Sequence, residues 1–245
     1  MREQNILGIK NLDAPIYRFF TVKRLRQVFA EKALTLVKPE SWKDPFENFL
    51  LGSAVRLSTG ELVSMNGIAR KLYGQCWTLL RESDALWQIY APRCNGVRVR
   101  TTVRKLWQTF YNPKISFPEL NFWMGRIEYV SERSIRQFMA GDHAFSVALD
   151  STGRGQALSL LVKRFAFRHE QEVRLIYNDT EEKQSGGLFR ASIDPLTLFD
   201  EMVFDPRMLP ARTARLKNEF QKRGFVGKIT TSSLYQRPSF ILAGS

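Results

Sequence analysis

The chain has 245 residues, 44% hydrophobic and 25% charged, which is the range of an ordinary globular protein long enough to bury a core. No apolar run approaches the roughly 20 residues of a membrane span, and two cysteines with two histidines are too few for a disulfide framework or a four-ligand zinc site. The net charge of +13 favours polyanionic partners, RNA, DNA or an acidic protein, although the basic residues are spread out and also serve solubility.

The opening "MREQNILGIKNLDAP" carries charge but lacks the apolar centre of a signal peptide, so a cytoplasmic protein is expected. Residues 15 to 20 read as a short aromatic strand. Thr21 then caps a helix from Val22 to about Ala30, with Leu25, Val28 and Phe29 at helical apolar spacing. "ALTLVKP" is a second strand stopped by Pro39, and "ESWKDPFEN" is a turn. Residues 53 to 70 are weakly patterned, with a helix after a loop as the expectation. "YGQCWTLL" is a buried strand, and Ser83 caps a short helix with Leu86, Ile89 and Tyr90 facing inward.

"NGVRVRT" is a strand after an Asn-Gly turn, "TTVRKLWQTFY" a helix and "WMGRIEYV" a strand. Residues 132 to 165 are mainly helix, interrupted by "STGRGQ". "EVRLIY" and "GLFRASID" are strands around the loop "EEKQSGG". "PLTLFDEMVFDP" passes from helix to strand. "RTARLKNEFQKRG" is a basic helix with Ala214, Leu216 and Phe220 toward the core, and "KITTSSLY" ends the sheet. With no repeat or linker, the prediction is one α+β domain over 1–245, built of short, mostly antiparallel strands with interspersed helices. No GxGxxG or GxxxxGK[ST] loop occurs, which weighs against Rossmann and P-loop enzymes.

Three stretches, "YRFF" leading to "SWKDPFE", "CWTLLRESDALWQIYAPRCNGVRVRT" and "FRHEQEVRLIY", resemble in order and spacing the bacterial family called domain of unknown function 2971. The resemblance covers roughly residues 16 to 205, leaving the basic helix and strand of 206–245 as an extension; Lys43 stands where the family usually has Asn. The motif layout is similar in turn to the ADP-ribosyltransferase fold. That likeness implies an Arg on the first strand, a hydroxyl residue on a middle strand and a Glu on a late one: here Arg18, Thr78 and Glu172, with Glu170 two residues before.

On one strand Glu170 and Glu172 project from the same face, while Val173, Leu175 and Tyr177 enter the core. Loss of nicotinamide from NAD leaves a ribose with oxocarbenium character, which Glu172 would stabilise while Glu170 acts as base on the acceptor. Arg18 would hold the NAD phosphates, and Tyr17, Trp77 or Tyr90 would stack on the nicotinamide. Asp44, Glu47, Trp87 and Arg174 are further candidates.

Structural roles compete at each position. Glu170 pairs with Arg174 if the segment is helical, or the glutamates pair across strands with Arg98 or Arg100. Asp44 caps the turn after it; Trp77, Trp87, Tyr90 and Phe46 belong to the core; Cys76 is a buried thiol. The leading expectation is an NAD-dependent ADP-ribosyltransferase-like toxin or phage-defence effector acting on nucleic acid or protein, with an antitoxin or acidic protein as a further partner. A non-enzymatic nucleic-acid-binding module is the first alternative. A nuclease with metal gathered by Asp44, Glu47, Glu170 and Glu172 is the second.

Overall fold

The computed structural model describes residues 3–56, 59–141, 143–184 and 186–239. Residues 1–2 of the opening stretch, 57–58 of the 53–70 segment, 142 of the helical region, 185 of "EEKQSGG" and 240–245 of the C-terminal extension lie outside the described residues.

After β1 (Ile6–Leu7), the aromatic strand β2 (Pro15–Thr21) runs straight into α1 (Val22–Glu31). The Thr21 hydroxyl accepts from the Arg24 amide, and Val22, Leu25, Val28 and Phe29 form the buried stripe that the spacing predicts. β3 (Ala33–Val37) follows. Two 3-10 turns, Pro39–Ser41 and Pro45–Asn48, then lead to the hairpin β4 (Ala54–Arg56) and β5 (Leu62–Ser64). The helix expected within 53–70 shrinks to one turn, α2 (Asn66–Ala69), which buries no side chain and so has no packing to extend it.

β6 (Leu72–Thr78) precedes α3 (Asp84–Tyr90), where the Ser83 hydroxyl accepts from the Leu86 amide. Leu86 and Trp87 are buried, whereas Ile89 and Tyr90, expected inside, are exposed. β7 (Gly96–Thr102) and α4 (Val103–Phe110) come next, then α5 (Pro118–Asn121), β8 (Phe122–Arg126) and β9 (Glu128–Val130). "WMGRIEYV" is therefore two strands. At Ile127 the chain leaves the sheet, and β9 takes a different partner.

α6 (Glu132–Ala140), α7 (His143–Ala148) and α8 (Arg154–Ser159) lead to β10 (Val162–Arg164), a 3-10 turn (Phe165–Glu170) and β11 (Glu172–Asn178). β12 (Leu188–Ser192), α9 (Pro195–Leu198), β13 (Glu201–Phe204), α10 (Pro210–Lys222) and β14 (Lys228–Thr231) complete the order. In α10 the inward residues are Thr213, Leu216 and Phe220; Ala214 is exposed, because the i, i+3, i+7 row starts one residue earlier than expected.

Among the described residues ten strands form one sheet in the order β1-β8-β11-β6-β2-β7-β13-β14, with β3 joining β6 to β12 off that path. The architecture is α+β and mostly antiparallel; within this sheet β1–β8 and β13–β14 are the parallel pairs. Val97, Val99, Trp77, Val173 and Leu175 bury one face of the sheet against Phe29, Trp107 and Phe220 of α1, α4 and α10. A second cluster, with Trp123, Leu160 and Ile176, lies under α7 and α8, and Phe19 with Leu86, Trp87 and Ala91 seats α3. Each such large apolar side chain contributes about 1.5–3 kcal/mol on burial.

One irregularity positions the site. β6 pairs with β11 along its full length, but meets β2 only at Tyr17↔Thr78 and β3 only at Val37↔Gly74. Between those two points its other edge is open, and the sheet parts there. A Cβ on Gly74 would sit 2.4 Å from the Trp42 ring, so glycine is what lets Trp42 lie against this strand.

Candidate functional site

A cleft of about 560 Å³ opens at the parting. Tyr17, Arg18 and Phe19 of β2 and residues 74–78 of β6 line it, with Leu86, Ile89 and Tyr90 of α3. Its acidic wall holds Asp44, Glu47, Glu170 and Glu172 together with Lys163. Nine of the sequence candidates thus meet around one cleft. Trp87 and Arg174 do not line it. Trp87 is fully buried, edge-on to Phe19 at 4.7 Å, and its indole donates to Glu82 at 2.8 Å. Arg174 lies wholly buried behind Glu172.

The glutamates converge, but not through the pleat of a strand. β11 begins at Glu172; Glu170 ends the preceding 3-10 turn, and Gln171 between them is left-handed at φ 42°. The Thr78 hydroxyl donates to the Glu170 carbonyl at 2.6 Å, and the Glu172 amide donates to the Tyr129 hydroxyl at 2.9 Å. Val173, Leu175 and Tyr177 are in the core, as the alternation predicts. The two competing pairings do not form. Arg174 bonds Glu172 and Glu47 rather than Glu170, while Arg98 and Arg100 pair with Glu201 and Asp200.

A buried ionic network ties the acidic wall together. The Lys163 ammonium donates to Glu172 at 2.6 Å and Glu170 at 2.9 Å, and lies 3.0 Å from Glu47. Arg174 donates to Glu47 at 2.6 Å, Glu172 at 2.9 Å and the Leu160 carbonyl at 2.7 Å, with Trp42 stacked at 4.2 Å. Burial, then hydrogen bonding and repulsion from Glu172, push the Glu170 carboxyl up to about 8, against the pull of Lys163. Burial also acts to raise Glu172, but Arg174, the hydrogen bond from Glu170 and Lys163 outweigh it and hold Glu172 well below the ordinary carboxylate range. One carboxyl is therefore fixed as an anion and its neighbour changes charge near neutrality, the separation that acid–base pairs exploit.

Asp44 caps its turn as expected, and it also holds an ion pair that the sequence did not announce. It caps the Phe46 amide at 3.1 Å and accepts from Arg164 at 2.7 Å. Arg18 donates to the Cys76 carbonyl, bridging the gap where backbone pairing between β2 and β6 is missing, and its Nε has no partner. The Cys76 thiol is pushed up to about 12, by burial first and then by Glu172, so it stays protonated and is no nucleophile.

Of the expected stacking platforms, Tyr90 is the one exposed residue, at 39%, with its ring stacked on Phe19 at 6.2 Å. Trp77 points into the core, its indole donating to Gln75 at 2.9 Å, because strand alternation turns Cys76 and Thr78 toward the cleft instead. Tyr17 is 5% exposed and carries the Arg98 guanidinium over its ring at 5.0 Å. Sequence reasoning missed Lys163, Phe167 and His169, which also line the cleft. A signal for the first was available: Lys163 stands inside the apolar run "LSLLVKRFAF", where a charged residue needs buried partners.

Among the described residues no three His, Cys, Asp or Glu side chains gather to hold a metal ion. The four carboxylates of the nuclease reading are each bonded to Lys163, Arg164 or Arg174, so this donor set does not fit a divalent ion. No described helix is long and apolar enough to cross a membrane.

No family model matches the chain and no curated protein matches it, so the likeness to domain of unknown function 2971 rests on the quoted motifs alone. Solved structures of DarT from Thermus sp. 2.9 are similar. The complex with NAD+ has 12% identity and a TM-score of 0.41, covering 91% of this chain and 98% of that one. The carba-NAD+ complex has 11% identity and a TM-score of 0.41, covering 91% and 97%. The complex with ADP-ribosylated ssDNA has 11% identity and a TM-score of 0.41, covering 92% and 97%. Similarity at this level carries no residue assignment to this chain.

Proposed function

We propose that the cleft binds NAD and that the protein transfers its ADP-ribosyl group to an acceptor. The observation that carries this reading is the meeting of Arg18, Thr78, Glu170 and Glu172 around one cleft, at the place where β2 parts from β6. The cleft volume falls in the range of small-molecule sites, and its mixed lining of aromatic, basic and acidic side chains suits a ligand with rings, phosphates and ribose hydroxyls.

In the reaction the bond from the ribose C1′ to the nicotinamide nitrogen breaks, and nicotinamide leaves with the bonding pair. The acceptor's nucleophile forms a new bond to C1′ and gives up its proton. Glu172, held ionised, accepts from the ribose hydroxyls through the lone-pair capacity that Lys163, Arg174 and Glu170 leave open, and stabilises the positive charge developing on the ring. Glu170 takes the acceptor's proton, which requires its carboxylate form; the rate therefore rises with pH through about 8. Arg18 donates to the phosphates through the N–H of its unpartnered Nε, and Tyr90 stacks on the nicotinamide. The +13 charge, with Lys43 and His169 exposed at the cleft, favours nucleic acid as the acceptor.

The test is incubation of the pure protein with labelled NAD, with and without RNA, DNA and cell lysate, reading nicotinamide release and label transfer. Release by wild type and none by a folded Glu172→Gln variant is the expected result. A folded wild-type protein that releases nothing under any condition overturns the NAD reading and leaves a module whose nucleic-acid affinity falls with salt.

A further inference from the structure

We propose that Lys163 is the positioning residue of this cleft, its ammonium fixing Glu170, Glu172 and Glu47 in one cluster from a ribbon outside the main sheet; the inference rests on the reading of the cleft as an NAD site. β10 pairs in parallel with β9 and with no strand of the main sheet, so Lys163 reaches the carboxylates from a separate element. It is 4% exposed. An ammonium has three N–H donors, and three carboxylate oxygens stand at 2.6, 2.9 and 3.0 Å. The Phe167 ring lies 4.6 Å from the nitrogen. No donor is left over for a ligand phosphate, so Lys163 acts through the carboxylates rather than on a substrate.

The backbone makes such a residue necessary. The left-handed turn at Gln171 breaks the alternation that would set the two glutamates side by side on a strand. Two carboxylates brought together without a cation repel each other. Among the described residues Lys163 is the one cation within ion-pair distance of Glu170, while Arg174 serves Glu172 and Glu47. Arginine is not an equivalent. Its donors lie in one plane and cannot form the tripod that reaches three carboxylates.

The groups acting on Glu170 are Lys163 from β10, Glu172 from β11, and Tyr90 and Tyr129 from α3 and β9, with Glu47 acting through Lys163. On its own turn Arg168 and His169 precede it, both exposed. The experiment is a carboxyl-carbon NMR titration of the full chain with 13C-labelled glutamate, the Glu170 signal being identified by its loss in Glu170→Gln. Wild type titrates near 8. Lys163→Met moves that point upward by about one to three pH units, and Lys163→Arg fails to return it to the wild-type value. An unmoved titration in Lys163→Met, or full restoration by arginine, overturns the proposal.

Should Lys163→Met fail to fold, Glu47→Gln replaces it. With one fewer carboxylate on the ammonium, the Glu170 titration moves downward, and no movement overturns the proposal. The rising limb of the pH profile of nicotinamide release shifts in the same direction in each variant. A wild type that releases no nicotinamide defeats the NAD reading, while the NMR titration still decides the role of Lys163 by itself.

Discussion

Replacing Arg174 by methionine keeps most of the side-chain volume and removes one of the two cations of the buried network. Arg174 is fully buried and donates to Glu47, Glu172 and the Leu160 carbonyl at 2.6–2.9 Å. Its loss leaves Glu47 and Glu172 to share Lys163 with Glu170, and a backbone carbonyl without its side-chain donor. Removing one partner of a buried ion pair costs about 3–5 kcal/mol, and the orphaned carbonyl adds to this without being strictly additive. For a chain of this length each kcal/mol lowers the melting temperature by about 2–4 °C, so the expected drop is roughly 6–20 °C. Calorimetry or a circular-dichroism melt at neutral pH measures it directly. Arg174→Lys falls between wild type and Arg174→Met, since it keeps the charge and loses the fork. A drop for Arg174→Met no larger than that of an exposed substitution such as Arg136→Met would show that the network contributes no stability and that the reasoning from its burial is wrong.

Gly74→Ala places a methyl 2.4 Å from the Trp42 ring and is expected to cost about 1–3 kcal/mol by overpacking, with a red shift of tryptophan fluorescence as Trp42 is displaced. Glu170 contributes a pH slope to stability. Its folded value of about 8 lies above the ordinary glutamate value of 4.5, so its contribution is complete below about 4.5 and is lost as pH rises through 8. Melting temperatures of wild type should therefore fall from pH 5 to pH 9 more steeply than those of Glu170→Gln; parallel curves would contradict the shift. Glu172 acts in the opposite sense, its contribution being present above 4.5 and lost as pH falls. Tyr90→Ala removes the half-buried stacking ring and should raise KM for NAD about tenfold in steady-state nicotinamide release, while loss of its stacking on Phe19 costs only about 0.5–1.5 kcal/mol of stability.

The fold was legible wherever a short-range signal governed it. Thr21 and Ser83 cap their helices through side-chain hydroxyls, and Val173, Leu175 and Tyr177 alternate into the core. Tertiary packing decided the rest. Ile89 and Tyr90 are apolar by type, yet the parting of β2 from β6 turns them toward a cleft that no local pattern announces. "WMGRIEYV" has an unbroken strand composition, and only the pairing of β9 with β10 splits it at Ile127.

The candidate site was partly legible in the same way. The acidic pair and Arg18 stood out by their order along the chain. That Glu170 and Glu172 meet through a left-handed turn and a lysine, rather than through one strand face, depends on the conformation of Gln171 and on a ribbon that pairs at a distance. Trp77 borders the cleft but is 2% exposed, because its strand neighbours Cys76 and Thr78 take the cleft-facing positions.

The measurement that bears most directly on the reading of the cleft is nicotinamide release from labelled NAD, at pH 7 and pH 9, by wild type and Glu172→Gln side by side. The account predicts release by wild type that increases at the higher pH and none by the folded variant. Equal release by both proteins, or none by a folded wild type at either pH, would contradict it.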